Sequence, residues 1–123
     1  MTPHEARMIA SVKTALTRDL LLPAFRDRPG NPMFGFCRVA TEALYHLLGG
    51  KEAGYMPRTA DDHICGCTHW WLRNPAGEII DPTVEQYADF QREPPYRFGR
   101  SVVIRGVSKR AKIVLDRLSK CSS

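Results

Sequence analysis

Two runs rich in β-branched and aromatic residues, HICGCTHWWLRN from His63 and GEIIDPT from Gly77, flank the turn-forming stretch Asn74-Pro75-Ala76-Gly77 in the middle of the chain. A layout of this kind closes as an antiparallel hairpin. The segments on either side have helical periodicity instead, and helices before and after a small sheet define an α+β domain. The expected architecture is N-terminal helices packed on a small antiparallel sheet, followed by a C-terminal helix. With 123 residues there is room for one such domain, residues 1–123, and not for two ordinary ones.

The flanking helices read clearly. From His4 to Leu22, Ile9, Val12, Leu16 and Leu20 recur at helical spacing between Pro3 and Pro23. Ala24 to Phe36 holds Pro29, Gly30, Asn31, Pro32 and Gly35, which mark a loop. Cys37 then opens a segment in which Ala40, Ala43, Leu44, Leu47 and Leu48 form one apolar stripe, stopped by Gly49-Gly50. Thr83 and Gln86 stand in capping-box relation, predicting a short helix that Pro94-Pro95 ends. SVVIRGV, from Ser101, reads as a further strand, and Ser108 can cap a last helix whose Ala111, Val114, Leu115 and Leu118 share a face.

A thiol nucleophile needs stabilised negative charge on sulfur, a base within reach, and a group that orients the base. Cys37 sits where a Gly- and Pro-rich loop meets a helix N-terminus, whose unpaired backbone N–H groups favour thiolate. Its own backbone N–H is placed to meet an oxyanion formed on an attacked carbonyl. A hairpin turn centred on Pro75 sets His69 directly opposite Asp81, with both side chains on one face and the carboxylate able to accept an imidazole N–H. Trp71, two residues on, shares that face and can wall the site from water.

These residues carry a resemblance. Cys37 with Ala40 and Ala43-Leu44, then His69 with Trp71, then Ile80-Asp81-Pro82-Thr83, resembles the core of the transglutaminase-like branch of the papain-like thiol enzymes, over roughly residues 31 to 87. The resemblance implies a Cys-His-Asp triad acting on a peptide, amide, ester or thioester carbonyl through an acyl-enzyme intermediate, as in an amidohydrolase, protease or deamidase, without metal or organic cofactor. It also implies a side-chain oxyanion donor upstream of the nucleophile, for which Asn31 stands six residues before Cys37. Residues 1–123 leave no room for the extra domains and long inserts of the large transglutaminases, so protein crosslinking is not the expected activity. The chain also resembles small bacteriophage-encoded proteins of uncharacterised activity, which adds no chemistry.

Two other readings compete. His63, Cys65, Cys67 and His69 are the right residue types for zinc, but in an extended strand the first and last lie about 20 Å apart, too far to converge on one ion. Cys65 and Cys67 are read as packing residues, with reduced thiols, since the start of the chain has no export-signal pattern. Charge gives the second. The chain carries a net +5, and between Arg97 and Lys120 eight basic residues face one acid, Asp116. Lys109, Arg110, Lys112 and Arg117 are candidate phosphate contacts, which would make the chain a non-catalytic binding module for nucleic acid or an acidic protein. No apolar run reaches membrane-spanning length, so a cytoplasmic location without membrane association is the expectation.

Overall fold

The N-terminal helix is fixed by its first turn. Thr2 caps α1 (Pro3–Thr14): its hydroxyl accepts the Glu5 N–H at 3.1 Å, while the Glu5 carboxylate accepts the Thr2 N–H at 2.8 Å. Glu5 is only 2% exposed, and it also accepts from the Tyr55 hydroxyl at 2.6 Å and the Asn74 side-chain amide at 3.1 Å. Burial pushes the Glu5 pKa up, and the hydrogen bonds from Tyr55, Thr2 and Asn74 more than offset this, holding it below the usual value. The start of α1 is thereby tied to the hairpin turn. In this computed structural model the described residues are 1–21, 36–62, 67–85, 87 and 93–121.

The helix expected to reach Leu22 stops at Thr14, and a short 3-10 turn, Arg18–Leu20, follows. Local side-chain bonding explains the early stop. The Thr14 hydroxyl donates to the Ser11 carbonyl at 2.6 Å, and Thr17 bonds to Asp19, so short polar residues compete for the groups a continuing helix would use. Leu20 and Leu21 still reach the core.

α2 (Cys37–Leu47) begins at the expected residue and buries Val39, Ala40, Ala43 and Leu44. Gly49, at φ +102°, supplies the left-handed residue that turns the chain away. α3 (Lys109–Cys121) is capped by Ser108, whose hydroxyl accepts the Ala111 N–H at 3.2 Å, and it buries Ala111 and Val114 against α1 and α2.

The sheet is antiparallel, with β1 (Met56–Asp62), β2 (Cys67–Arg73), β3 (Ile79–Ile80) and β4 (Arg100–Ser101) in the order β3-β2-β1-β4. β1 is central although its sequence, MPRTADD, has no strand-like run. Its membership is a tertiary effect, since a seven-residue ladder with β2 overrides the weak local preference. The strand expected over Ser101–Val107 shrinks to Arg100–Ser101. Pro57 gives the reason: Val102 N–H donates to the Pro57 carbonyl at 3.2 Å, but Pro57 has no N–H to return, so the ladder ends and the chain crosses to α3.

The hairpin register also differs from the expected one. Leu72 pairs with Ile80 and Arg73 with Ile79, so continuing the ladder sets Trp71, not His69, opposite Asp81. The turn is centred on Ala76 rather than Pro75. Asn74 N–H donates to the Glu78 carbonyl at 2.9 Å, Gly77 takes φ +82°, and the Asn74 side-chain oxygen accepts from Ala76 N–H at 3.1 Å and Glu78 N–H at 2.8 Å. A three-residue loop ending in a left-handed glycine therefore replaces a tighter turn. A slip of two residues preserves which face each side chain takes, so His69 and Asp81 remain on one side of the sheet. Leu72 and Ile80 take the other side and join the helical core.

Candidate active site

β3 spans only two residues, so the first half of β2 has no strand partner on that edge among the described residues. α2 occupies the vacancy. The Thr41 hydroxyl donates to the Trp70 carbonyl at 3.1 Å and the Cys37 thiol donates to the Thr68 carbonyl at 3.3 Å. One helical turn therefore matches two strand residues, which sets Cys37 at the N-terminal end of α2 beside the residue preceding His69. Cys37 is 6% exposed and is unbridged. As the first residue of the helix, its N–H and those of the next two residues have no intrahelical acceptor.

His69 is fully buried, and its Nε2 lies 2.6 Å from Asp81 Oδ2. The pair is diagonal rather than directly opposed, a geometry that long side chains bridge. Asp81 is itself held from two further directions: Tyr96 donates its hydroxyl to Oδ2 at 2.8 Å and the Thr83 N–H donates to Oδ1 at 3.1 Å. Aromatic rings enclose the imidazole. Trp71, 1% exposed, stacks on it with centroids 5.6 Å apart, and Tyr87 meets it edge-on at 4.8 Å. Tyr96 in turn packs on Trp71 at 5.1 Å.

No hydrogen bond joins the sulfur to the ring among the described residues; His69 Nδ1 is buried without a partner. Burial pulls the His69 pKa down, but the hydrogen bond to Asp81 and, after it, the influence of the Cys37 sulfur more than reverse this and push it up to about 9. At neutral pH His69 is then an imidazolium with one N–H on Asp81 and the other, at Nδ1, unpaired. A buried N–H without an acceptor costs about 1 to 3 kcal/mol, a penalty that an anionic sulfur turned from the Thr68 carbonyl to the ring would relieve.

The remaining expected site residues fall out as follows. Asn31, the candidate oxyanion donor, lies outside the described residues, as do His63 and Cys65. Cys67 contributes its backbone to β2, paired with Asp62, and nothing is described of its side chain. No cluster of His, Cys, Asp or Glu able to hold a metal occurs among the described residues. On α3, Lys109 and Lys112 are exposed, but Arg110 donates to the Leu20 carbonyl at 2.7 Å, and Arg117 binds the Ala15 carbonyl at 2.9 Å and Asp19 at 3.0 Å. Two of the four candidate phosphate contacts thus fasten α3 to the chain after α1.

Tyr96 and Tyr87 are the site residues that sequence reasoning missed as such. Tyr96 follows Pro94-Pro95, a setting that pins an aromatic to the core, but no periodicity points it at Asp81. No described helix is long and apolar enough to cross a membrane. No protein-family model, curated protein or solved structure matches this chain.

Proposed function

We propose that the chain is a thiol-dependent acyl-transfer enzyme with a transglutaminase-like or papain-like core, in which Cys37 is the nucleophile, His69 the proton shuttle and Asp81 the orienting anion. The observation that carries the reading is the buried His69–Asp81 pair at 2.6 Å, whose outer nitrogen, Nδ1, is left unpartnered on a ring charged in part by the nearby Cys37 sulfur. A purely structural histidine would normally satisfy both ring nitrogens. The order of parts supports the same reading: a helix-initial cysteine, then histidine and aspartate on successive strands.

Cys37 sulfur, as thiolate, adds to the substrate carbonyl carbon, and the negative charge moved to oxygen is met by first-turn N–H groups of α2. When the tetrahedral adduct collapses, the bond to the leaving amine or alkoxide breaks and His69 Nδ1 gives that group its proton. Neutral His69 then takes a proton from water as the water oxygen attacks the thioester carbon, releasing the acid and restoring sulfur. Asp81 holds the ring by Nε2 throughout. Water as acceptor makes the enzyme a hydrolase.

Alkylation tests the assignment. Iodoacetamide labelling of Cys37 in the folded protein at pH 6.5 is expected to slow by about tenfold or more in His69→Ala, because the imidazolium that stabilises the thiolate is gone. Labelling of Cys37 only under unfolding conditions, or at a rate indifferent to His69, contradicts it.

A further inference from the structure

Asp81 is held by two side-chain donors on the same oxygen. His69 Nε2 lies 2.6 Å from Oδ2, and the Tyr96 hydroxyl donates to that atom at 2.8 Å, while Oδ1 accepts the Thr83 N–H at 3.1 Å. The Asp81 side chain is 4% exposed and that of His69 0%, which leaves little room for solvent to replace either donor. Burial, and after it the Asp81 charge, push the Tyr96 pKa up, so the hydroxyl stays protonated and donating wherever His69 titrates.

The fold fixes this hydroxyl from outside the hairpin. Tyr96 opens a 3-10 turn, Tyr96–Phe98, directly after Pro95. Its ring packs edge-on against Trp71, with 5.1 Å between centroids, and Gly99 lies so close to Trp71 that a Cβ there would fall 2.5 Å from Cζ2. Arg58 on β1 fastens the segment, donating to the Gly99 carbonyl at 2.7 Å and to the Ser101 hydroxyl at 3.1 Å. The ionisable groups facing the imidazole are Asp81, Cys37 from α2, Tyr87 and Tyr96, with Glu93 acting on Tyr96 in turn. Of these, Tyr96 has its polar atom on the ring's partner.

The two bonds to Oδ2 compete. When His69 is an imidazolium, its charge already balances the carboxylate and the hydroxyl adds little. When His69 is neutral, the carboxylate charge is uncompensated and the hydroxyl bond is at its strongest. We propose that Tyr96 is a positioning residue of the thiol centre, whose bond to Asp81 favours neutral His69 and so equips the ring to take a proton from water in deacylation. The proposal deepens the acyl-transfer reading and rests on it for the step affected, whereas the effect on His69 rests on the Asp81 contacts alone.

Two measurements separate these. The first needs no turnover. The His69 titration midpoint in the full chain, followed by NMR, is expected to rise by about 0.5 pH unit in Tyr96→Phe and to fall when a ring-fluorinated tyrosine, a stronger donor of the same shape, occupies position 96. The fluorinated side chain carries the test even if Tyr96→Phe fails to fold. Midpoints that stay put, or that move the same way for both replacements, overturn the proposal, since a tyrosine acting through packing alone would not give opposite shifts. The second follows the decay of an acyl group loaded on Cys37 from an activated ester, as a function of pH. In Tyr96→Phe decay should be about threefold slower below the midpoint and equal to that of the unaltered chain above it, a profile displaced and not lowered. An unchanged profile, or one lowered at every pH, overturns the role in deacylation while acyl transfer stands. Opposite midpoint shifts with no acyl group on Cys37 overturn the enzymatic reading and uphold the hold of Tyr96 on the buried pair.

Discussion

Replacing Asp81 by Asn isolates the electrostatic core of the site, because it removes the charge and keeps the shape. His69 is fully buried, so the carboxylate's hold on the imidazolium is little screened by solvent. The distance between the ordinary histidine value of 6.5 and about 9 corresponds to roughly 3 kcal/mol favouring the charged form in the folded state. Because the folded pKa lies above the unfolded one, this stability is fully present below about pH 6.5 and is lost as pH rises through about 9. In Asp81→Asn the larger raising influence is gone and burial is opposed only by the Cys37 sulfur, so the His69 pKa should fall well below about 9. Urea unfolding of both proteins under reducing conditions, at intervals from about pH 6 to 10, should show a stability gap that narrows with rising pH by about 2 to 3 kcal/mol across the window. A gap that stays constant with pH, or an NMR titration showing His69 unmoved by the substitution, refutes the reasoning.

Three further outcomes are expected. Tyr96→Phe removes a donor 2.8 Å from Asp81 while keeping the ring on Trp71, and should lower stability by about 1 to 2 kcal/mol in urea unfolding; a neutral result would mean that Tyr96 does not support Asp81. Gly99→Ala would put a Cβ 2.5 Å from Trp71 Cζ2 and 2.9 Å from Cη2, and thermal unfolding should register a loss of about 1 to 3 kcal/mol; unchanged stability would argue against this packing around the imidazole. Asn74→Ala strips two backbone N–H groups of the turn of their shared acceptor and takes a donor from Glu5, so it should destabilise by about 2 to 3 kcal/mol and increase amide exchange at Ala76 and Glu78.

Much of the site was legible because it depends on face rather than register. Any hairpin with an even offset keeps His69, Trp71 and Asp81 on one side, so misplacing the turn centre by one residue left the pairing of side chains correct in kind and wrong in alignment. The cysteine was legible from helix periodicity, since the apolar stripe behind it fixes where α2 starts. The central strand was not. Met56–Asp62 combines a proline with two aspartates and gains its strand geometry from pairing with β2 and β4, information that lies outside the segment. The same proline cut short the strand expected after Ser101, an effect invisible until the two segments are known to be neighbours. On α3, charge periodicity located the basic face but could not show that Arg110 and Arg117 reach back to backbone carbonyls near α1.

The most direct test of the central claim is the mass of the intact protein, quenched in acid within the first turnover with an activated ester. The account predicts a single added acyl group that maps to Cys37, disappears on standing in buffer, and does not form in Cys37→Ala. An unmodified protein in the presence of ester turnover, or an acyl group carried on another residue, would contradict it.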